Sequence, residues 1–157
     1  MLSRAADYAV RAMVHLAGLD AGTRAAQHDI AAVIDVPSTF TGKVLQRLVA
    51  ADLVASRRGK GGGFTITARG RQSSMYDVVV AIAGEMPLNE CLSVSHRCRH
   101  APGCAAHRVW GMAQSQVVGV LRAAKISELA TENARVAAVA AARSQDAEPV
   151  QVTWVAR

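Results

Sequence analysis

The chain has 157 residues, a formal charge of +6 at pH 7, three cysteines and 4% aromatic residues. An odd, small thiol count excludes a disulfide framework, and charged or polar residues interrupt every apolar stretch before the roughly 18 residues of a membrane span. The start, MLSRAADYAVRAMVHLAG, lacks the order of a signal peptide, so the expected setting is a reducing cytoplasm with no membrane partner.

Residues 3–18 read as a helix capped by Ser3, with Ala5, Ala9, Ala12, Met13 and Leu16 at helical spacing. A short helix is expected over 27–34, then a break at DVPS. Ser38 is the expected cap of a third helix over 39–51, with Phe40, Val44, Leu45 and Leu48 on its inner face. Two short helices joined by a tight turn form the helix-turn-helix pattern.

LVAS and FTIT follow, two β-prone runs joined by RRGKGGG, which predict a hairpin with a basic tip. Its glycines lack the spacing of a phosphate-binding loop, and no helix opens right after them. Arg57, Arg58, Lys60, Arg69 and Arg71 lie between Asp52 and Asp77 with no acid among them. A helix-turn-helix followed at once by a basic hairpin is a winged helix. The basic balance points to a polyanion, and glycines let the backbone approach one closely. The candidate DNA contacts are Ser38, Thr39, Thr41 and Lys43 at the start of the third helix, and Arg58 and Lys60 in the wing. Arg69 and Arg71 are expected to be solvated or near phosphates.

Residues 75–84 form a short apolar helix ended by Gly84 and Pro87. A loop over 85–103 leads into a long helix from 104 to 124, with Trp110, Ala113, Val117, Val120 and Leu121 along one stripe. Val109, Met112 and Val118 add apolar surface off that stripe, as expected of a helix packed on two sides and joining two subunits. A further helix is expected over 127–142. The fold class is mainly α with a small β-hairpin wing. Its expected parts are a DNA-binding domain over 1–84, a ligand loop over 85–103, a dimerisation helix and following helix over 104–142, and a flexible tail over 143–157.

All three thiols, Cys91, Cys98 and Cys104, fall in that loop region at C-x6-C-x5-C spacing, and His107 follows. Arg97, Arg99 and Arg108 lie among them, and nearby positive charge favours the thiolate that binds metal or reacts. Clustered thiols beside Pro102 and Gly103 predict a metal or iron–sulfur site, with a thiol switch as the alternative. A structural zinc of the Cys3His kind also fits the residue types. No nucleophile–base arrangement stands out, so an enzyme is not expected.

DYAVRAM near the start, VPSTFTGKVLQRLVAADLV, the wing RRGKGGGF and the three-cysteine loop together resemble the IscR/NsrR-type bacterial winged-helix regulators over about residues 1–125. The resemblance implies a homodimer on palindromic promoter DNA, and in many members an iron–sulfur cluster that controls binding. Asp7-Tyr8-Ala9 with Arg11, and the loop from Cys98 to Cys104, look most like the nitric-oxide-sensing NsrR branch. Iron–sulfur clusters are commonly held by four thiolates, and three are present here. In the NsrR branch the aspartate matching Asp7 is a fourth ligand to a four-iron cluster, donated across the dimer. In the IscR branch a histidine matching His107 serves a two-iron cluster. The DYA start and the loop favour Asp7, hence a 4Fe-4S cluster with 2Fe-2S as the alternative. Gly42 departs from IscR, which has a glutamate there that helps discriminate DNA sites. The expected function is a repressor sensing nitric oxide or redox stress; a regulator of iron–sulfur biogenesis or iron supply is the alternative on the same scaffold.

Overall fold

A computed structural model describes residues 3–94 and 98–145, with side chains through residue 141. The expected tail beyond residue 145, and Arg97, lie outside the described residues.

The chain order is α1 (Arg4–Gly18), α2 (Gln27–Ile34), α3 (Ser38–Ala50), β1 (Val54–Arg57), β2 (Gly63–Ile66), α4 (Ala68–Gln72), α5 (Met75–Ala83), α6 (Ala105–Ala123) and α7 (Ile126–Gln145), with one-turn 3-10 helices at Glu90–Leu92 and Ala101–Gly103 before α6. The Ser3 hydroxyl accepts from the Ala6 N–H and so caps α1. α1 then buries Ala6, Ala9, Ala12, Met13, Leu16 and Ala17. Alanine at these positions lets α2, α3, α5 and α7 approach α1 closely, which makes it the central element.

α2 ends at Asp35, which takes the left-handed conformation with φ 54°. The chain then turns through Val36 and Pro37 into α3. The inner face of α3 is Thr41, Val44, Leu45 and Leu48. Phe40, expected on that face, is instead 41% exposed, and its ring meets Tyr8 edge-to-face at 5.7 Å. Nor does Ser38 cap α3. It is the first helical residue, and Pro37 holds the cap position with no side-chain bond.

β1 and β2 pair antiparallel with Val54 opposite Ile66 and Arg57 opposite Gly63. Ala25, just before α2, exchanges two backbone bonds with Phe64 and ties the wing to the helix-turn-helix. Gly63 permits this. Its φ is 144°, and a Cβ there would stand 2.6 Å from the Ala25 carbonyl oxygen. The short helix α4 has no counterpart among the elements expected from the sequence. The Thr67 hydroxyl caps it, and Gly70 packs against Leu53, whose carbonyl oxygen leaves no room for a Cβ.

The start of α5 is a capping box. The Ser74 N–H and hydroxyl both donate to the Asp77 carboxylate, while the Asp77 N–H donates back to the Ser74 hydroxyl. These bonds hold the Asp77 carboxyl below the ordinary carboxylate pKa, with Lys125 and Arg122 adding to the effect. At the far end of α5, Arg47 of α3 donates to the Ile82 carbonyl.

The core does not end at residue 84, where the sequence places a domain boundary. α7 folds back along α1, burying Ile126 fully and Ala130 to 6% exposure in the same cluster as Met13 and Val78. A two-way backbone bridge guides its entry: the Met75 N–H donates to Ala124, and the Ile126 N–H donates to Ser73. α6 is different. None of its residues is buried, and it lies against α5 and the turn at Glu90–Leu92. Arg122 stacks over the Tyr76 ring at 4.7 Å and joins α6 to α5.

Candidate functional site

Two regions carry the residues singled out from the sequence. On α3 the exposed positions are Ser38, Thr39, Phe40, Lys43, Gln46, Arg47 and the last residue, Ala50. Thr39, Lys43 and Gln46 share one outward face, since residues three and four apart line up on a helix. Gln46 was not singled out from the sequence, although its spacing from Lys43 places it on the same side.

Thr41 does not belong to this face. It is fully buried, and its hydroxyl donates to the carbonyl oxygens of Pro37 and Val36 at 3.2 and 3.5 Å. It cannot touch a DNA strand lying along α3. The expectation followed residue type, whereas helical phase turns Thr41 inward with Val44 and Leu45.

The wing tip leaves Arg58 and Lys60 exposed. Gly59 and Gly61 both have positive φ, and the Gly62 N–H closes the turn onto the Gly59 carbonyl. Such backbone geometry favours glycine, because positive φ is a conformation that L side chains rarely adopt, although the space around both residues is open. Two basic side chains are thus exposed on a tight loop at the tip of the hairpin. Arg71 serves a different purpose from the one expected. Its guanidinium donates to the carbonyls of Ala17 and Leu19, at 2.7 and 3.4 Å, and closes the C-terminal end of α1. In the last turn of α1, burial lowers the His15 pKa below its ordinary value, with Asp29 partly opposing the shift.

The first half of the cysteine loop is fastened by side chains. The Gln114 side chain of α6 accepts from the Leu88 N–H and donates to the Met86 carbonyl. The Glu85 carboxylate accepts from the Ser93 hydroxyl and the Val94 N–H. Cys91, Cys98 and Cys104 are all free and partly exposed. Cys104 is the N-cap of α6, and its sulfur accepts from the His107 N–H at 3.4 Å. An N–H aimed at sulfur from a helix N-terminus suits a metal-bound thiolate.

On the same residue, His107 Nδ1 is buried without a hydrogen-bond partner. A buried polar atom left unpaired is costly and asks for a donor or a metal. Asp7 is placed differently. It lies in the first turn of α1, half exposed, with its carboxylate 2.9 Å from Arg11. A pair so exposed contributes roughly 0.3–0.5 kcal/mol and is easily exchanged for a stronger partner. Among the described residues no three His, Cys, Asp or Glu side chains gather around a common point within one chain. Three thiols and a histidine are donors of the type that iron–sulfur clusters take.

A helix-turn-helix with an exposed polar face on its second helix, and a two-stranded basic wing beside it, defines a winged-helix DNA-binding protein. A family model described as "Rrf2: Iron-dependent Transcriptional regulator" matches residues 2–132. The chain belongs to the Rrf2 family of HTH-type transcriptional regulators. It is 31% identical over 129 residues to an HTH-type regulator of Mycobacterium tuberculosis, covering 82% of this chain and 80% of that one. It is 30% identical over 129 residues to the HTH-type transcriptional repressor NsrR of Streptomyces coelicolor, covering 82% of this chain and 86% of the repressor. The fold is that of CymR, the global cysteine regulator of B. subtilis (TM-score 0.66, 20% identity, 84% of this chain and 97% of that one). It is also that of T. potens IscR (TM-score 0.63, 20% identity, 99% and 93%). The similar proteins are regulators of transcription rather than enzymes. No helix among the described residues is long and apolar enough to cross a membrane.

Proposed function

We propose that the protein is a dimeric transcription repressor whose hold on promoter DNA is governed by an iron–sulfur cluster that responds to nitric oxide or redox stress. The observation that carries this reading is the set of three free, partly exposed thiols ahead of α6, in a chain of an iron-dependent regulator family. The similarity to the repressor NsrR supports repression, and the nitric-oxide signal follows from the resemblance of the Asp7-Tyr8-Ala9 start and the Cys98–Cys104 loop to that branch.

Ser38, Thr39 and Lys43 meet phosphates and base edges in the major groove, and Arg58 and Lys60 follow the backbone into the minor groove. Two such units, carried by two copies, fit successive major grooves about 34 Å apart. The α6 surface supports pairing of copies: Val109, Trp110, Met112 and Val120 are 42–68% exposed on a helix with no buried residue. Apolar groups in such number on one helix are better covered than wetted.

Cys91, Cys98 and Cys104 supply three thiolates to the cluster, which when bound provides the reactivity toward nitric oxide or oxygen. A carboxylate fourth ligand is harder and more labile toward iron than a thiolate, and Asp7 fills that place from a second copy. Its pairing with Arg11 is weak enough to be given up. With a cluster bound, Cys91, Cys98, Cys104 and the second copy's Asp7 would tie the loop to the start of α1 across the dimer, so releasing those residues would let the two recognition helices leave register.

A second reading is favoured by the buried, unpartnered Nδ1 of His107, whose backbone N–H meets the Cys104 sulfur. There His107 is the fourth ligand, the cluster is 2Fe-2S, and the regulator reports iron–sulfur or iron supply. Anaerobic purification with iron and sulfide analysis, followed by promoter binding with and without nitric oxide, tests the proposal. Cluster-loaded wild type is expected to release the promoter on nitric oxide; Asp7→Ala changes the visible spectrum in the first reading, and His107→Ala changes it in the second. A colourless protein that carries zinc, or DNA binding indifferent to nitric oxide, overturns the sensor.

A further inference from the structure

Gln27 opens α2 and Ser38 opens α3, and their side chains meet. The Gln27 Nε2 donates to the Ser38 carbonyl oxygen at 2.8 Å and to the Ser38 Oγ at 3.1 Å. This is the polar tie between the two helices of the helix-turn-helix at the end of α3 that faces DNA. It stands where α3 has no side-chain cap of its own, because Pro37 occupies the cap position.

Gly42 lies one turn further along α3. Its backbone is ordinary helix, outside the positive-φ glycines, so its conformation does not require glycine. Its surroundings do. A Cβ at residue 42 would lie 2.9 Å from both Nε2 and Oε1 of Gln27, and 3.1 Å from its Cδ. These atoms are the far end of a flexible side chain. An added methyl would push the amide away from Ser38 and leave the helix intact. Glycine within a helix weakens it relative to alanine, and here the weakening is matched by a seat for Gln27.

We propose that Gln27 is a specificity-positioning residue, seated on Gly42, which orients the Ser38 hydroxyl and the first turn of α3 for reading DNA. The chemistry is direct. An amide that donates to the Ser38 oxygen takes up one of its lone pairs, so the hydroxyl proton is left to donate outward. That proton suits an acceptor, such as a phosphate oxygen or a purine N7 in the major groove. Without Gln27 the hydroxyl rotates freely, and it can turn back to a carbonyl of the preceding segment.

The inference rests on the reading of this chain as a sequence-selective DNA-binding regulator. Its test compares duplexes selected from a randomised library by the wild-type protein, Gln27→Ala, Gly42→Ala and the double variant, with melting temperatures and affinity ratios for preferred against scrambled duplex. Gln27→Glu, which keeps the shape and removes the donor, is measured alongside. Gly42→Ala is expected to melt at or above the wild-type temperature, and Gln27→Ala and Gln27→Glu slightly below it, because each removes the donor to Ser38; all variants are expected to fold. Gln27→Ala, Gln27→Glu and Gly42→Ala are each expected to lose about tenfold in the affinity ratio, the size of one base-reading interaction, with the same base positions relaxed. The double variant is expected to lose no more than either single one, because both changes remove one tie. A ratio within about twofold of wild type in Gln27→Ala, or losses that multiply in the double variant, overturns the proposal. A wild-type protein that selects no sequence overturns the regulator reading itself, and the positioning role with it.

Discussion

Phe40 and Thr41 are neighbours on α3, and they show how one residue of helical phase decides function. Residue type alone puts Phe40 inside and Thr41 on the DNA. The structure reverses them, because Val44, Leu45 and Leu48 set the buried face and Thr41 is the residue in phase with it. The Thr41 hydroxyl then serves the turn by bonding to Pro37 and Val36. Thr41→Ala removes that bond and leaves a small void, so it is expected to lower stability by about 1–2 kcal/mol, while the folded protein keeps its DNA affinity. Lys43→Ala is expected to do the opposite: an unchanged melting curve and weaker DNA binding. Denaturant melts paired with anisotropy titrations separate the two, and a loss of DNA affinity by folded Thr41→Ala would return that residue to the interface.

Elements with strong local signals were legible in the sequence. The Ser3 cap, the break after α2, the glycine-rich wing tip and the Gly84 end of α5 depend on residues within a few positions of each other. The α4 turn was not legible, because its cause is the approach of Gly70 to Leu53, seventeen residues away. Nor were the partners of Arg71, since the carbonyls it closes belong to the end of α1. The wing makes its own prediction. Arg58 and Lys60 are exposed on a loop whose shape comes from glycines, so replacing both by alanine is expected to leave stability unchanged. The slope of log affinity against log salt is expected to fall by about 1–2, one for each phosphate that the wing no longer neutralises. An unchanged slope, followed from about 50 to 200 mM salt, would remove the wing from the DNA interface.

At the scale of the whole molecule, α7 is the element whose role the sequence understated. It reads as a helix of small residues following the dimer helix, yet Ile126 lies fully buried in the core of the DNA-binding unit. Ile126→Ala is expected to cost about 2–5 kcal/mol and to lower the single unfolding transition of the entire unit, as calorimetry would show. A separate, unaffected transition for residues before 84 would contradict the shared core. The sequence by itself determined the winged-helix class, the order of its helices and the residue types offered to DNA and to a metal centre, because periodicity, caps and glycine turns act over a few residues. Only the tertiary structure decided that Thr41 faces inward, that Arg71 closes α1, that Gln27 sits over Gly42 and that α7 completes the core. Those outcomes depend on which distant surfaces meet, and close packing allows one helical phase and one partner at each meeting point.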